Sequence, residues 1–400
     1  MKLRVLNICL AAFTVTITVT IVHSFHVPHI SAKPCMHTTQ TRAPGRPYLR
    51  LQTRASVQEE ANTEGAEQAE ERPEMVDCHD ILADDSPDTC FRAGFVSIVG
   101  SPNVGKSTLM NRLVGERLSI VTSKAQTTRH RILGVVTGDN HQLVYTDTPG
   151  ALNPSYKLQE GMMKFVKTAV ADADVLLLVT DIFERDFPVQ VLIDRLKRSK
   201  SPLVIAINKV DLLKGNGQGK PLSERALKEV GGSLDDVVAR WREKFPDAKS
   251  ILPISALQGI DTELLQEELV KQLPPSPNGE PLFPPDTLTD KPERFFASEL
   301  IRERVFTSYG QEIPYSTEVI IETYRDEPDI VRINAKIVTI RDSQVGIIIG
   351  HRGEKLKKVG TEARKALEEM LGKKVFLSMR VKVDKNWRKN ERSLKEFGYL

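Results

Sequence analysis

The residues with the clearest chemical potential form a glycine-rich run that follows a short apolar stretch. This run matches the pattern GxxxxGK[ST] and comprises Gly100, Ser101, Pro102, Asn103, Val104, Gly105, Lys106 and Ser107, followed by Thr108. Glycines let backbone N–H groups wrap around phosphates, and the N-terminus of a following helix adds its dipole. The Lys106 ammonium group can reach the β- and γ-phosphates of a nucleotide, and the Ser107 hydroxyl can hold Mg²⁺. The pattern predicts a nucleotide-phosphate site.

A second polar segment follows the apolar run 141–146 and reads Asp147, Thr148, Pro149 and Gly150. The Asp147 carboxylate can serve Mg²⁺ through a water molecule, and the Gly150 N–H can meet the γ-phosphate. We therefore expect these residues to lie beside Lys106 and Ser107. The next apolar run, 174–180, has no such ending and is interpreted as scaffold.

Two segments that follow later strands indicate which base the nucleotide site binds, adenine or guanine. The run 203–207 ends in Asn208, Lys209, Val210 and Asp211, and the run 251–254 ends in Ser255, Ala256 and Leu257. A carboxylate at Asp211 can accept hydrogen bonds from both N1–H and N2–H of guanine, which adenine does not offer. The backbone amides of the second segment suit the guanine O6 atom. Their order predicts that GTP and GDP are the ligands.

These segments need strands and helices to position them. Apolar runs at 94–99, 141–146, 174–180, 203–207 and 251–254 read as strands, with helical patterns at 223–244 and 261–273 among them. We expect an α/β domain over residues 91–273 with a mixed, mostly parallel sheet. Residues 214–221 (KGNGQGKP) are predicted to form a mobile loop.

The segment between the glycine-rich run and Asp147 carries a resemblance to a known family. Residues 123–131 (SKAQTTRHR) resemble the switch segment of the Era family of ribosome-assembly GTPases, and the likeness extends over residues 92–400. The resemblance implies that Thr128 coordinates Mg²⁺ and senses the γ-phosphate, with Thr127 as the alternative. It also implies catalytic roles for Lys106, Thr128, Asp147 and Gly150.

Ala151 stands where Ras-like GTPases carry a glutamine that orients the attacking water. An alanine cannot do this, so catalysis must rest on positioning and on charge neutralisation by Lys106 and Mg²⁺. Asn103 matches the asparagine that is associated with potassium in relatives. It either binds K⁺ or only shapes the loop.

Residues 274–292 contain seven prolines and mark a linker before a second domain. Helical patterns at 293–306 and 354–371, strand patterns at 317–324, 331–339 and 375–383, and a last helix at 387–397 follow. With a GxxG loop between two helices, residues 293–400 resemble a bacterial-type (type II) KH domain, a smaller α+β fold. That resemblance implies binding of single-stranded RNA.

Several residues in this second domain are candidates for RNA contact, and we place them on the loop, the flanking helices and the C-terminal tail: Ile349, Gly350, His351, Arg352, Gly353, Lys355, Lys358 and Trp387. Glycines let the backbone approach a nucleic-acid strand, and the basic side chains can meet phosphates. Ile347, Ile348 and Ile349 can support unstacked bases. Trp387 either stacks on a base or caps the small core.

Charge is distributed unevenly along the 400 residues despite a net charge of +3. The last fifty residues hold 15 bases and 7 acids, which indicates a polyanionic partner. Residues 1–58 carry seven bases and no acid, and residues 59–90 carry twelve acids and one base. All four cysteines lie in the first 90 residues, which excludes a disulfide-stapled body and a cysteine zinc site in residues 91–400.

The composition of the first 90 residues predicts a targeting sequence followed by a spacer. Residues 1–24 have the basic start and apolar stretch of a signal peptide, or alternatively of a single membrane anchor. Residues 25–58 are transit-peptide-like, and residues 59–90 read as an acidic, disordered spacer. We expect a bipartite leader to a plastid, with the mitochondrial matrix as the alternative, and no stable membrane insertion after leader removal.

Together these patterns predict a GTPase with slow intrinsic hydrolysis that RNA or the ribosome stimulates. The resemblance implies that its partners are the 3′ end of small-subunit ribosomal RNA and the small ribosomal subunit, and that the protein acts in subunit assembly as a monomer. The alternative is an RNA-binding assembly chaperone that binds GTP but hydrolyses it little or not at all.

Overall fold

A computed structural model of the chain describes residues 90–214, 230 and 232–400. The predicted leader, the spacer up to residue 89, and most of the predicted loop at 214–221 lie outside the described residues. In the described part of the chain, no helix is both long and apolar enough to cross a membrane.

The first part of the described chain alternates strands and helices. Its elements are β1 (Arg92–Val99), α1 (Lys106–Val114), β2 (Ile132–Thr137), β3 (His141–Asp147), α2 (Lys157–Ala171), β4 (Val175–Asp181), α3 (Gln190–Arg198), β5 (Leu203–Asn208), α4 (Leu234–Lys244), β6 (Ser250–Pro253) and α5 (Thr262–Gln272). The six strands form one sheet in the order β2-β3-β1-β4-β5-β6, and only β2 runs antiparallel to its neighbour. The predicted mixed, mostly parallel sheet is confirmed.

The central strands are buried on both faces. Every residue of β4 and of β5 is buried, because helices cover both sides of the sheet. The carboxyl ends of β1, β3 and β5 therefore meet at one edge. That edge carries the polar segments which the sequence singled out.

Helix α4 is shorter than the predicted helix 223–244. It begins at Leu234. The Ser233 side chain accepts from the Asp236 N–H, and the Asp236 carboxylate accepts from the Ser233 N–H, and these two bonds form a capping box. Gly232 precedes the cap with a φ of 137°, so the helix does not continue back through it. Residues 223–229 of the prediction lie outside the described residues.

The proline-rich stretch 274–292 forms neither a helix nor a named strand in the described structure, as its composition predicts. It lies along β2, where the Val135 N–H donates to Leu288 O at 2.9 Å. Thr289 Oγ1 donates to Leu133 O at 2.6 Å on the same edge. The linker therefore covers the open edge of the sheet, which would otherwise present unpaired backbone groups.

The second part of the described chain is smaller. Its elements are α6 (Glu293–Ser308), α7 (Ile313–Ser316), β7 (Glu318–Asp326), β8 (Ile330–Thr339), α8 (Asp342–Ile349), α9 (Glu354–Leu371), β9 (Lys374–Val383) and α10 (Glu391–Glu396). Strand β8 pairs antiparallel with β7 and parallel with β9. Helices α6 and α9 pack together and against one face of this sheet, which confirms the predicted α+β arrangement.

The last helix differs from the predicted range 387–397. It begins at Glu391, because the Asn390 side chain caps it by accepting from the Arg392 N–H at 2.9 Å. Trp387 therefore lies in a turn that precedes α10.

Candidate nucleotide site and nucleic-acid interface

The glycine-rich loop connects β1 to α1, and β5 braces it. Gly105 has a φ of 99°, and a Cβ there would lie 2.2 Å from Asn208 Nδ2, so only glycine fits. Asn208 Nδ2 donates to Val104 O at 2.8 Å, and Asn208 Oδ1 accepts from the Ala256 N–H at 2.9 Å. One side chain at the end of β5 thus holds together the phosphate loop and the segment that follows β6.

Lys106 is the first residue of α1 and is almost fully buried. Its Nζ atom donates to Ser101 O at 2.7 Å, which holds the ammonium group under the loop. Burial lowers the pKa of Lys106 to about 8, although the carboxylates of Asp147 and Glu184 act in the opposite direction. A buried ammonium group with few partners is well suited to bind phosphate oxygens.

A cluster of oxygens lies beside Lys106. Ser107 Oγ lies 2.8 Å from Thr128 Oγ1 and donates to Asp147 Oδ2 at 2.8 Å. Asp147 is fully buried, and its Oδ1 atom has no hydrogen-bond partner among the described residues. Two hydroxyls and a buried carboxylate with a spare oxygen are hard oxygen ligands of the kind that Mg²⁺ prefers. The donor set therefore fits Mg²⁺.

Thr127, the alternative to Thr128, is turned away from this cluster. Its Oγ1 atom donates to Lys124 O at 2.7 Å and lies 2.8 Å from Thr122 Oγ1. Its hydroxyl is therefore used within the loop, and the geometry favours Thr128 as the metal-facing threonine.

The guanine side of the site is built from the ends of β5 and β6. Asp211 Oδ1 accepts from Ser255 Oγ at 2.6 Å, which orients the carboxylate. The Ser255 N–H donates to Ile260 O at 3.1 Å and the Ala256 N–H donates to Asn208 Oδ1 at 2.9 Å, and the contact of these amides with guanine O6 stays a prediction. Leu257 is 65% exposed and lies at the wall of the cavity.

Two acids near this edge were missed at the level of sequence. Asp181, the last residue of β4, accepts from Lys209 Nζ at 2.6 Å, so the strand interpreted as scaffold positions a site residue. Glu184 accepts from Thr180 Oγ1 at 2.6 Å and contributes to the field at Lys106. Their position directly after a buried strand was the signal that could have found them.

The remaining predicted residues line or support a cavity of about 260 Å³. Pro102, Thr108 and Gly150 lie at its wall together with Thr128. Thr148 Oγ1 donates to Ile98 O at 2.7 Å and so anchors the segment to β1, and Pro149 beside it is buried. The structure thus brings together all four segments that the sequence placed at one edge.

The GxxG loop lies between α8 and α9, on the helical side of the smaller sheet. Gly350 has a φ of 73° and a ψ of 179°, and a Cβ there would lie 2.7 Å from Lys355 Cγ. Gly353 has a φ of 80°, and a Cβ there would meet nothing within 4 Å. His351, Arg352, Lys355 and Lys358 are exposed around the loop. Exposed basic side chains on a glycine loop can approach a phosphodiester backbone closely.

Comparisons with known proteins agree with both sites. Residues 95–209 match the family described as "50S ribosome-binding GTPase", and residues 312–388 match the KH domain family. GTPase Era of Geotalea uraniireducens is 40% identical over 311 residues, which are 77% of this chain and 98% of that protein. This chain belongs to the Era family of GTPases.

Other Era proteins are similar over the same region. "GTPase ERA1, chloroplastic" of Zea mays is 38% identical over 77% of this chain and 70% of that protein. The crystal structure of an Era variant from Aquifex aeolicus bound to GDP and AlF4⁻ is similar with a TM-score of 0.69 and 36% identity. An Era structure in complex with MgGDPNP and nucleotides 1506–1542 of 16S ribosomal RNA has a TM-score of 0.69 and 35% identity. Each of these two similarities covers 77% of this chain and 99% of the Era chain in the structure.

Two residues of this Era-family protein bear on hydrolysis. Ala151 is buried in the apolar core, and its N–H donates to Gly100 O at 2.9 Å, so no polar side chain stands at the position of the Ras glutamine. Asn103 has a left-handed φ of 66°, and its Nδ2 atom donates to Ser123 O at 3.4 Å. It therefore shapes the loop, and potassium binding there stays a prediction.

In the Era-family KH domain, two predicted RNA contacts need correction. Trp387 is fully buried, and its Nε1 atom donates to Ser316 O at 3.1 Å, so the prediction that it stacks on a base is wrong and the alternative of a core role holds. Ile348 is also fully buried, which leaves Ile347 and Ile349 as the apolar side chains beside the loop.

The switch segment of this Era-family protein contacts the KH domain directly after Thr128. Arg129 is almost fully buried and donates from Nη1 to Glu318 Oε2 at 2.8 Å and to Thr317 O at 2.8 Å. Tyr399 donates its hydroxyl to the same Glu318 oxygen at 2.6 Å, and its ring stacks on His130 with the centroids 4.4 Å apart.

This buried pair has a defined charge state. Burial alone would raise the pKa of Glu318, but the guanidinium groups of Arg129 and Arg302 lower it below its ordinary value. The carboxylate is therefore ionised and paired. Because Glu318 and Arg129 are 189 residues apart, no local pattern of residues predicts this contact.

Proposed function

We propose that this protein hydrolyses GTP and binds the 3′ region of small-subunit ribosomal RNA during assembly of the small ribosomal subunit, with the bound nucleotide gating RNA binding. The contact between the switch and the KH domain carries the proposal. Thr128 faces the metal-binding oxygens, and its neighbour Arg129 is held by Glu318 at the start of β7. The Era relative in complex with ribosomal RNA supports the choice of RNA.

The residues of the nucleotide site have separate roles in hydrolysis. The loop amides bind phosphate oxygens, and Lys106 exchanges its bond to Ser101 O for bonds to the phosphates. Ser107, Thr128 and Asp147 would hold Mg²⁺, which, when bound, neutralises charge on the β- and γ-phosphate oxygens. Since Ala151 offers no side-chain group to orient water, the intrinsic rate depends on positioning and charge neutralisation and is slow.

Gating follows from the same contact. The γ-phosphate would order the switch through Thr128, and this order is passed to Arg129 and His130, which lie against the KH domain and its C-terminal tail. Hydrolysis would release Thr128 and loosen the contact. RNA binding in turn would order the switch and speed turnover, since coupling between two sites is reciprocal.

The experiment compares GTP turnover with and without an RNA that contains the 3′ end of the small-subunit RNA. Gly353→Asp should lower RNA affinity by at least about 10-fold and remove the stimulation, because a carboxylate repels phosphate. Gly279→Asp is the matched control, since Gly279 is exposed in the linker with a φ of 68° and a Cβ there would also meet nothing within 4 Å. It should leave RNA binding and stimulation unchanged.

Two results would contradict the proposal. Absence of turnover in both conditions would favour the alternative of an RNA-binding assembly chaperone that binds GTP without hydrolysing it. Equal turnover with and without RNA, together with normal RNA binding, would refute the gating.

We further propose that the protein works in a plastid. The leader-like composition of residues 1–58 and the chloroplastic Era relative of Zea mays support this location. The mitochondrial matrix is the alternative.

A further inference from the structure

The three-stranded sheet has an outer face that is covered at the end near Val338 and open elsewhere. Along β8, Val331, Ile333, Ala335 and Ile337 are buried under the helices, and the residues between them point to the opposite side. Helices α6, α8 and α9 all lie on the inner side. We call the opposite surface the outer sheet face.

The strand register gathers positive charge on the outer sheet face. Its basic residues come from all three strands: Arg325, Arg332, Lys336, Lys374, Arg380 and Lys382. Glu322, at the β-bulge of β7, is the acid that contacts this face, and Glu327 stands at the hairpin turn. Two carboxylates cannot neutralise six basic groups, so the face is a positive patch.

The ion pairs on the outer sheet face are weak ones. Arg332 Nε lies 3.1 Å from Glu327 Oε1, and Lys336 Nζ lies 3.7 Å from Glu322 Oε1. Both members of the first pair are more than 40% exposed, and Arg380, which pairs with Glu322 at 2.5 Å, is 66% exposed, so water screens these two pairs and a phosphate can replace the carboxylate. Among the described residues, Lys374 and Lys382 form no ion pair within 4 Å.

An exposed aromatic ring lies among the basic residues of the outer sheet face. Phe376 on β9 is 50% exposed, and the Arg332 guanidinium carbon lies 5.7 Å from its ring centroid. Arg332 and Phe376 are direct partners in the β8–β9 register. An exposed ring flanked by basic groups suits a nucleobase, because every base has a face that can stack while its phosphate meets a cation.

This surface is separate from the GxxG loop. The loop joins α8 to α9 on the inner side, so the sheet itself lies between the two surfaces. The end of the outer sheet face near Val338 is buried in the cluster that contains Trp387, which leaves the part around Phe376 open.

We propose that the outer sheet face binds a second stretch of the RNA chain that the GxxG loop binds, through its phosphodiester backbone and one base stacked on Phe376. This inference rests on the proposed function and extends it. Charge complementarity selects the partner, since six basic groups on a flat face match a polyanion, and the exposed ring selects a nucleic acid over an acidic protein.

The test uses the full chain and two RNAs, one of about 12 nucleotides that fills the GxxG cleft alone and one that spans the complete 3′ region. The variant combines Lys374→Gln, Arg380→Gln and Lys382→Gln on the edge strand β9. Its affinity for the long RNA should fall by about 30-fold, and the slope of log affinity against log salt should drop by about 2 for three lost contacts. Its affinity for the short RNA should be unchanged.

Two controls define the effect. Arg198→Gln, Lys200→Gln and Lys249→Gln remove three exposed basic groups from the first domain and should leave both affinities within about two-fold. Phe376→Ala should lower the affinity for the long RNA by about 10-fold without changing the salt slope, and Phe376→Trp should keep the affinity.

Each other outcome overturns the proposal. Unchanged affinity for the long RNA, an equal loss in the control triple, or an equal loss for the short RNA would each exclude a separate RNA surface. A loss that appears only with the assembled subunit and not with naked RNA would assign the face to a ribosomal protein. If the unaltered protein binds neither RNA, the proposed function itself fails; if it binds both and only the GxxG variant loses binding, the function stands and this inference falls.

Discussion

At the scale of single residues, the nucleotide site depends on burial. Lys106 and Asp147 are both buried, and each lies where its charge has few partners in the protein itself. Burial raises the pKa of Asp147, although Lys106 acts in the opposite direction. A buried cation and a buried carboxylate are costly in isolation, so ligands of opposite charge are bound strongly there.

The charge of Lys106 gives a pH prediction. In the nucleotide-free protein its pKa is lowered to about 8, so the ammonium group loses its proton as the pH rises above 8. Phosphates need the charged form, so affinity for GDP should fall as the pH rises from 8 towards 10, by at most about 10-fold per pH unit. Calorimetry at pH 9 in two buffers of different ionisation enthalpy should detect uptake of a proton on binding. Lys106→Arg, which keeps its charge, should show no uptake, and the absence of uptake in the unaltered protein would contradict the assignment.

The two adjacent threonines give a matched pair of variants. Thr128→Ala removes the hydroxyl beside Ser107 and should reduce the maximal rate of GTP hydrolysis by about 100-fold, as for the loss of one aligned polar group in a catalytic site. Thr127→Ala removes a hydroxyl that bonds only within the loop and should change the rate less than about three-fold. Steady-state phosphate release measures both. A larger loss in Thr127→Ala than in Thr128→Ala would reverse the assignment.

At the scale of elements, the switch segment lies between two domains. One side of it forms a wall of the nucleotide cavity, and the other side carries Arg129 and His130 into the KH domain. The KH domain presents β7 and its C-terminal tail to the switch, and the GxxG loop lies elsewhere on the domain. The switch segment and the KH domain are thus joined by packed side chains as well as by the linker.

The buried pair tests this connection. Glu318→Gln leaves the buried Arg129 charge without its carboxylate counter-charge and should lower the free energy of unfolding by about 3 kcal/mol. It should also reduce the stimulation of GTP turnover by RNA, because the switch loses its anchor on the KH domain. Lys157→Gln breaks the exposed Lys157–Glu391 pair between the same two domains and should leave the free energy of unfolding nearly unchanged. Chemical denaturation and turnover assays measure the effects, and full stimulation in a folded Glu318→Gln protein would refute the link.

At the scale of the whole molecule, the two described domains correspond to nearly the full length of a bacterial Era protein. The match to the Geotalea relative covers 98% of that protein but 77% of this chain, so the first 90 residues carry no counterpart of the two domains. Their composition, basic and free of acids up to residue 58 and acidic from 59 to 90, differs from the rest of the chain. Targeting is the role that such a segment fits.

Localisation of a fluorescent protein fused to residues 1–90 tests this assignment. We expect the fusion to reach the plastid interior, and we expect a fusion to residues 25–90, which lacks the apolar start, to remain outside the secretory route. Retention of the first fusion in the endoplasmic reticulum would favour a membrane anchor, and import into mitochondria would favour the alternative leader.

The amino-acid sequence by itself determined the nucleotide chemistry and the order of the elements. The segments predicted to bind phosphate, Mg²⁺ and guanine stand directly after buried strands, and both the apolar runs and the motif residues can be recognised in the local sequence. It predicted the ends of α9 correctly and missed those of α4 and α10, where the capping side chains of Ser233 and Asn390 set the start.

Only the tertiary structure decided which side chains reach each other across long separations. It buried Trp387, turned Thr127 away from the metal-binding oxygens, joined Arg129 to Glu318, and placed six basic groups with Phe376 on one face of a sheet. Contacts of this kind depend on how elements pack and on strand register, and neither leaves a mark in a local pattern of residues. The residues of the nucleotide site could therefore be identified from the sequence, whereas their contact with the RNA-binding domain could not.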